Sequence, residues 1–369
     1  MERRRADCGS LMTWEIIGQE RAVDVLRRAV EDEARPDGRP SGRLSHAYLF
    51  VGPERVGRAT TARRFAPALN CSSEGERPCD ECRSCRLIAD EKHPDVEWVR
   101  VGGVCEESEH RDHSADNSRD IRICQVRRLQ RVVSRTPFEA RYRVLIIDPA
   151  DALTAEAANA FLKTLEEPPR QVVLVLVTAH EEALRETVRS RCRRIVFSGV
   201  PREAIEGALR ERWDAEPERA SQLARLAQGR LGWAVAALQD ERLLIDRERT
   251  IDDIESLLGG GLGERFAYAG ELGARYPRDP DAVRATLELW RDWWRDVLLT
   301  AAGQEELVTA QERLDTLRSQ AAQCGVAGTV QALTAVADVG RHLEEHASPT
   351  LALEVMLLAL PSAAGRRGP

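Results

Sequence analysis

The chain has 369 residues, 43% hydrophobic and 31% charged, with a formal net charge of −7. That length asks for two or three domains rather than one, and the acidic balance argues against a stand-alone nucleic-acid binder, which is usually basic. No run of about 18 apolar residues is present to span a membrane, and the nine cysteines sit in a cytosolic-looking chain, which favours metal binding over disulfides.

Residues 1–12 are basic and lack the apolar core of a secretory signal. They read as a disordered extension, with Met12 as an alternative start. Residues 13–31 carry Ala22, Val25, Leu26 and Ala29 at helical spacing. Residues 35–44 hold two prolines and two glycines and form a loop. A strand over Ala47–Val51 leads into Gly52-Pro53-Glu54-Arg55-Val56-Gly57-Arg58-Ala59-Thr60, and a helix follows over 60–69.

This loop has the outline of G-x-x-x-x-G-K-[ST], whose backbone N–H groups cradle phosphate. Gly52 and Gly57 keep the frame. Arg58 stands where lysine would reach the phosphates, and the two are not interchangeable. Ala59 replaces the hydroxyl that would ligate Mg²⁺. Thr60 comes one residue late, about 100° round the helix. A bare strand–turn–helix without a ligand is the alternative reading.

Four cysteines follow as Cys71-x7-Cys79-x2-Cys82-x2-Cys85. Two overlapping C-x-x-C turns suit a closed tetrahedral Zn²⁺ site of four thiolates. His93, His110 and His113 are weaker candidates, and Cys8, Cys105, Cys124, Cys192 and Cys324 read as structural. A second strand is expected over 95–101, an acidic loop over 102–120 and a helix over 121–133. The apolar run 143–148 is a buried third strand. Its last residue, Asp148, stands where P-loop proteins place a second carboxylate for Mg²⁺. Next to it, where a base would polarise water, is Pro149. An acidic end to a core strand explains Asp148 equally well.

A helix over 154–165 has Thr154 as its N-cap. A fourth strand over Val172–Thr178, a short helix over 181–188 and a fifth strand over 194–197 complete an alternating α/β pattern. Between the last two lies Thr187-Val188-Arg189-Ser190-Arg191-Cys192. It is either a solvated basic turn or an arginine presented to a neighbour's site. Beyond Pro201 only helices are expected: a small module over 202–239, then an all-helical one over 241–360. The clearest helix there, 282–299, sets Leu287, Trp290, Trp294 and Val297 on one face.

These pieces resemble the AAA+ clamp-loader family of bacterial DNA polymerase III, its delta-prime branch above all, with the gamma/tau subunits as wider kin. The resemblance rests on Ile17-Gly18-Gln19-Glu20, on His46-Ala47-Tyr48-Leu49-Phe50, and on Leu69-Asn70-Cys71 with the three further cysteines. His93-Pro94-Asp95, the stretch Asn159 to Pro169 containing Leu165-Glu166-Glu167-Pro168-Pro169, and Ser190-Arg191-Cys192 complete it. These blocks run in family order over residues 13–240.

The resemblance implies an α/β P-loop AAA+ core with a five-stranded parallel sheet over 13–199. The core would carry a zinc module at 71–85. A helical lid over 200–240, an all-α collar for oligomerisation over 241–362 and a tail over 363–369 would follow. It further implies a ring with gamma/tau and delta subunits that loads the sliding clamp onto primer–template DNA in the cytoplasm, with any polymerase activity in another subunit.

A gamma/tau-like ATPase would carry glycine at 55, lysine at 58, threonine at 59 and an acid at 149. In Gly229-Arg230-Leu231-Gly232 it would carry a nucleotide-sensing arginine at 232. Here these are Arg55, Arg58, Ala59, Pro149 and Gly232, while Ser190-Arg191-Cys192 is whole. The expectation is a non-hydrolysing stator. Arg191, with Ser190, would complete a neighbour's ATPase site, and Gly52, Gly57, Arg58 and Asp148 would form a degenerate nucleotide site that neither binds nor hydrolyses ATP. A divergent ATP-hydrolysing gamma/tau-like subunit and a zinc-dependent DNA-binding module are the alternatives.

Overall fold

The computed structural model describes residues 14–33, 44–105, 119–344 and 347–361. The expected extension over 1–12, the tail over 363–369, Cys8, His110, His113 and most of the acidic loop lie outside the described residues. The chain divides into two compact units, Met1–Ala234 and Val235–Pro369.

In the first unit, β1 (Ala47–Val51), β2 (Val96–Val99), β3 (Arg143–Ile147), β4 (Val172–Thr178) and β5 (Arg193–Val196) form one parallel sheet in the order β2-β3-β4-β1-β5. The inner strands β1, β3 and β4 read as near-continuous apolar runs because both faces of a parallel sheet are covered. Tyr48, Phe50, Val144, Ile146, Val173 and Val175 pack on one side with Trp14 and Phe65. Leu49, Leu145, Ile147, Leu174 and Leu176 pack on the other with Phe161 and Leu129. Helices α1 (Glu20–Glu33), α2 (Arg58–Asn70), α3 (Arg83–Ala89), α4 (Ile123–Val133), α5 (Ala155–Glu166) and α6 (Glu186–Arg189) alternate with the strands.

Most expected elements form, with shifted ends. The first helix starts at Glu20 rather than near 13, because Gly18 turns the chain at φ +71° and Trp14 is buried ahead of it. The second strand stops at Val99. The single helix expected over 181–188 is a 3₁₀ turn, Glu181–Ala183, followed by α6, with Leu184 extended between them. Thr154 caps α5 as expected, its hydroxyl accepting from the Ala157 N–H.

The stretch between α4 and β3 is held by a buried ion pair. Asp95 Oδ1 lies 2.8 Å from Arg143 Nη2, and both residues are buried. The same carboxylate accepts from the N–H groups of Phe138, Glu139 and Ala140 at 2.8, 2.9 and 3.0 Å. Burial alone would raise its pKa; the backbone N–H groups and Arg143 outweigh burial and hold it at about 2.

Helices α7 (Arg202–Trp213), α8 (Pro217–Ala227) and α9 (Leu231–Gln239) follow, and the division between the units falls inside α9. The second unit contains α10 (Arg242–Gly259), α11 (Leu262–Arg275), α12 (Pro280–Ala301), α13 (Leu314–Glu344) and α14 (Pro349–Ala359). Leu287, Trp290, Trp294 and Val297 of α12 are all buried, and Trp293 joins them. Helix α13 is broken at Gly325, where φ is +60°. Arg265, 3% exposed, donates to the carbonyls of Leu257, Leu357, Leu360 and Pro361. It thereby satisfies the orphan C-terminal carbonyls of α10 and α14, as a cation near a helix C-terminus does.

Candidate functional site

The loop after β1 and the acid after β3 meet outside the carboxyl ends of the strands, where open α/β sheets bind ligands. Gly52 is required by packing as well as by motif: a Cβ there would lie 2.2 Å from the Phe197 carbonyl. The loop runs through buried Val56 to Gly57 (φ +109°), and α2 begins at Arg58. Gln19 ties it in place. Its amide donates to the carbonyls of Val56 (3.1 Å) and Ser198 (2.6 Å), and its oxygen accepts from the Ser198 N–H at 3.2 Å.

Arg58 and Asp148 face each other electrostatically. Burial lowers the pKa of Arg58, against the attraction of Asp148, Glu54 and Asp151. Burial raises that of Asp148, against Arg58, Arg100 and Arg63. The cation at the lysine position is thus set against the chain's own acids. Asp151 accepts from the Thr178 hydroxyl at 2.5 Å. Thr60 is exposed, and the next hydroxyl, on Thr61, donates back to the Gly57 carbonyl at 2.9 Å. The Gly232 N–H, at the start of α9, donates to the Arg55 carbonyl at 2.8 Å, and a Cβ at Gly232 would lie 3.0 Å from that oxygen. The residue at the sensing position therefore packs on the loop through its backbone.

The four cysteines come together. Their Sγ atoms all lie within 4.8 Å of one another. Cys71 ends α2, and Cys82 is the N-cap of α3. Backbone N–H groups of Ser73, Cys82 and Cys85 donate to the sulfurs of Cys71, Cys79 and Cys82, each at 3.4 Å. Such bonds favour thiolates. A tetrahedral zinc with bonds of about 2.3 Å sets its sulfurs about 3.8 Å apart, so donor type, number and spacing fit that ion. Arg64 pairs with both oxygens of Asp80 at 2.7 Å, and the Trp14 indole N–H donates to the Arg77 carbonyl at 3.0 Å, fastening the cysteine segment to the core. His93 stands apart from the cluster; its Nδ1 accepts from the Asp95 N–H.

The basic turn lies at the end of α6. Arg191 Nη1 donates to the Thr187 carbonyl at 2.8 Å, and Nη2 meets Glu166 Oε1 at 2.6 Å. The Ser190 hydroxyl donates to the Thr187 carbonyl at 3.3 Å. Burial pushes the neighbouring Cys192 thiol up to about 12, which marks it as structural. Sequence reasoning missed the partnership of Glu166 with Arg191, the Gln19 tie and the Gly232–Arg55 contact. Glu166 and Gln19 both stood inside quoted motifs, yet only their spatial neighbours give them work.

The strand order, the glycine-framed loop after β1 and the acid after β3 define an α/β fold of the P-loop type. A family described as DNA polymerase III, delta subunit, matches residues 27–201. The DNA polymerase III subunit delta′ of Bacillus subtilis is 28% identical over 342 residues, 93% of this chain and 96% of that protein. Subunit tau of the same organism is 32% identical over 203 residues, 55% of this chain and 32% of that protein. A DNA polymerase III gamma subunit-related protein of Thermotoga maritima shares 18% identity over 91% of this chain and 97% of that one, with a TM-score of 0.38. The chain is thus similar to subunit delta′ of DNA polymerase III over nearly its whole length and to subunit tau over about half of it.

Proposed function

We propose that this chain is the delta-prime-type subunit of a clamp-loader ring, a stator that does not itself hydrolyse ATP and that lends Arg191 to a neighbouring ATPase subunit. One contrast carries the reading. At the chain's own loop, Arg58 is set against Asp148 and Asp151, and Gly232 packs on Arg55. Arg191, by contrast, keeps 35% of its side chain exposed on the turn after α6. An arginine finger stabilises charge developing on a transferring phosphoryl group, and contributes about 10³–10⁵ in rate where it is the missing part. Pro149 offers no group to orient the attacking water, which argues against the alternative of a divergent gamma/tau-like motor.

In this reading residues 13–199 are the AAA+ core, 200–240 the lid and 241–362 the collar. Cys71, Cys79, Cys82 and Cys85 hold a structural zinc, which supplies cross-linking of the segment and no catalysis. The partners are gamma/tau and delta subunits, and through them the sliding clamp and primer–template DNA in the cytoplasm. The collar assignment is supported by α14, whose buried face holds Leu353, Met356 and Leu357 while Leu351, Val355 and Leu358 on the opposite face are 59%, 54% and 52% exposed. A helix apolar all round is one that assembly buries. Among the described residues no helix is long and apolar enough to cross a membrane.

Reconstitution with gamma/tau and delta subunits tests the proposal. The Arg191→Ala complex is expected to assemble normally and to lose most clamp loading and a large share of its ATPase. Normal turnover and loading by that complex would refute the role given to Arg191; ATP hydrolysis by the isolated wild-type chain would refute the stator.

A further inference from the structure

We infer that Glu166 is the positioning residue for Arg191, holding the guanidinium ready before a neighbouring subunit's nucleotide arrives. The inference rests on the reading of Arg191 as a finger and goes beyond it in naming what aims it.

A finger is an unusual demand on a side chain. Arginine has four rotatable bonds and loses much rotamer freedom when it is fixed. On an exposed turn it would sample many directions, and most of them would miss a phosphate. Here the guanidinium is gripped from two sides. The Thr187 carbonyl takes Nη1 at 2.8 Å, and the Glu166 carboxylate takes Nη2 at 2.6 Å. The two acceptors come from different elements: Thr187 from α6, beside the finger, and Glu166 from the last turn of α5. The grip therefore fixes Arg191 relative to the body of the core and not only to its own turn.

The grip is also incomplete in a useful way. Of five guanidinium N–H donors, three are engaged: Nη1 meets the Thr187 carbonyl and, at 3.5 Å, the Ser190 hydroxyl, and Nη2 meets Glu166. Among the described residues, Nε–H and the second N–H of Nη2 remain to meet an oxyanion, and Arg191 and Glu166 keep 35% and 49% of their side chains exposed. Exposed ion pairs contribute little to stability, so fold stability is a weak reason for this one. A carboxylate that orients a cation towards a third group is the arrangement that lowers the reorganisation needed at the reacting centre.

The test is a set of variants in the complex reconstituted with gamma/tau and delta subunits of the same organism, with assembly checked by size-exclusion chromatography. Glu166→Ala removes both charge and acceptor; Glu166→Gln keeps an acceptor oxygen for Nη2. If Glu166 positions Arg191, Glu166→Ala lowers the Arg191-dependent part of kcat at least three-fold and shifts KM for ATP less than two-fold. Glu166→Gln recovers at least half of the loss, and Glu166→Ala combined with Arg191→Ala is no slower than Arg191→Ala alone. A Glu166→Ala complex with full turnover, while Arg191→Ala is impaired, overturns the positioning role and leaves the finger standing. Additive losses in the double variant overturn it as well. Full turnover by Arg191→Ala itself overturns the finger, and the positioning role with it.

Discussion

Replacing Asp95 by asparagine removes the charge on which the segment before β3 is built. The carboxylate is 1% exposed and takes four donors: three consecutive backbone N–H groups and the Arg143 guanidinium. A carboxyl held at about 2 rather than 3.8 contributes about 2 kcal/mol at neutral pH. Asparagine keeps one acceptor oxygen, but its NH₂ then faces a donor and Arg143 is left buried without its counter-charge. Breaking a buried pair in this way costs about 3–5 kcal/mol. For a unit of this size that is a fall in Tm of roughly 10 °C. The assay is calorimetry on the full chain at several pH values. Because the folded pKa is depressed, the contribution is complete above the unfolded carboxyl pKa and is lost as pH falls through about 2. The gap between wild type and Asp95→Asn should therefore be widest at pH 5–7 and narrow between about pH 4 and pH 2. A Tm difference under about 3 °C at pH 7, or one that does not shrink in acid, would refute the account.

Two further outcomes are expected. Cys82→Ser should reduce bound zinc from about one ion per chain to near none by plasma mass spectrometry and lower Tm, while the wild-type chain should lose the same stability on strong chelation; a wild-type chain that purifies and refolds without zinc would contradict the assignment. The double change Arg58→Lys with Ala59→Thr should leave the isolated chain without ATPase, since Pro149 still orients no water and Gly232 still packs on Arg55. Turnover on the order of 1 s⁻¹ would show that these two positions alone had silenced the site.

The alternating elements of the first unit were legible because their signal is local. Parallel strands covered on both faces must be apolar throughout, so Arg143–Ile147 and Val172–Thr178 stand out without any knowledge of their neighbours. The cysteine cluster was legible for the same reason: two C-x-x-C turns bring three sulfurs near each other by chain geometry alone. The break in the helix expected over 181–188 was not legible, since its apolar residues fit helical spacing and only the packing of Leu184 and Val188 under α5 and the sheet sets the extended residue between the two turns.

By itself the sequence determined which residues of the phosphate-loop pattern are replaced in Gly52 to Thr60. Arg58 and Ala59 stand there where a lysine and a hydroxyl were expected, and Pro149 stands where an acid was expected after β3. Only the tertiary structure decided what the loop packs against. Gly52 is forced by the Phe197 carbonyl, Arg58 is set against Asp148, and Gly232, far away in the chain, meets Arg55. It likewise placed Glu166 beside Arg191. Such partnerships join residues separated by tens to hundreds of positions, and local pattern holds no information about pairs that only the folded sheet and its covering helices bring together.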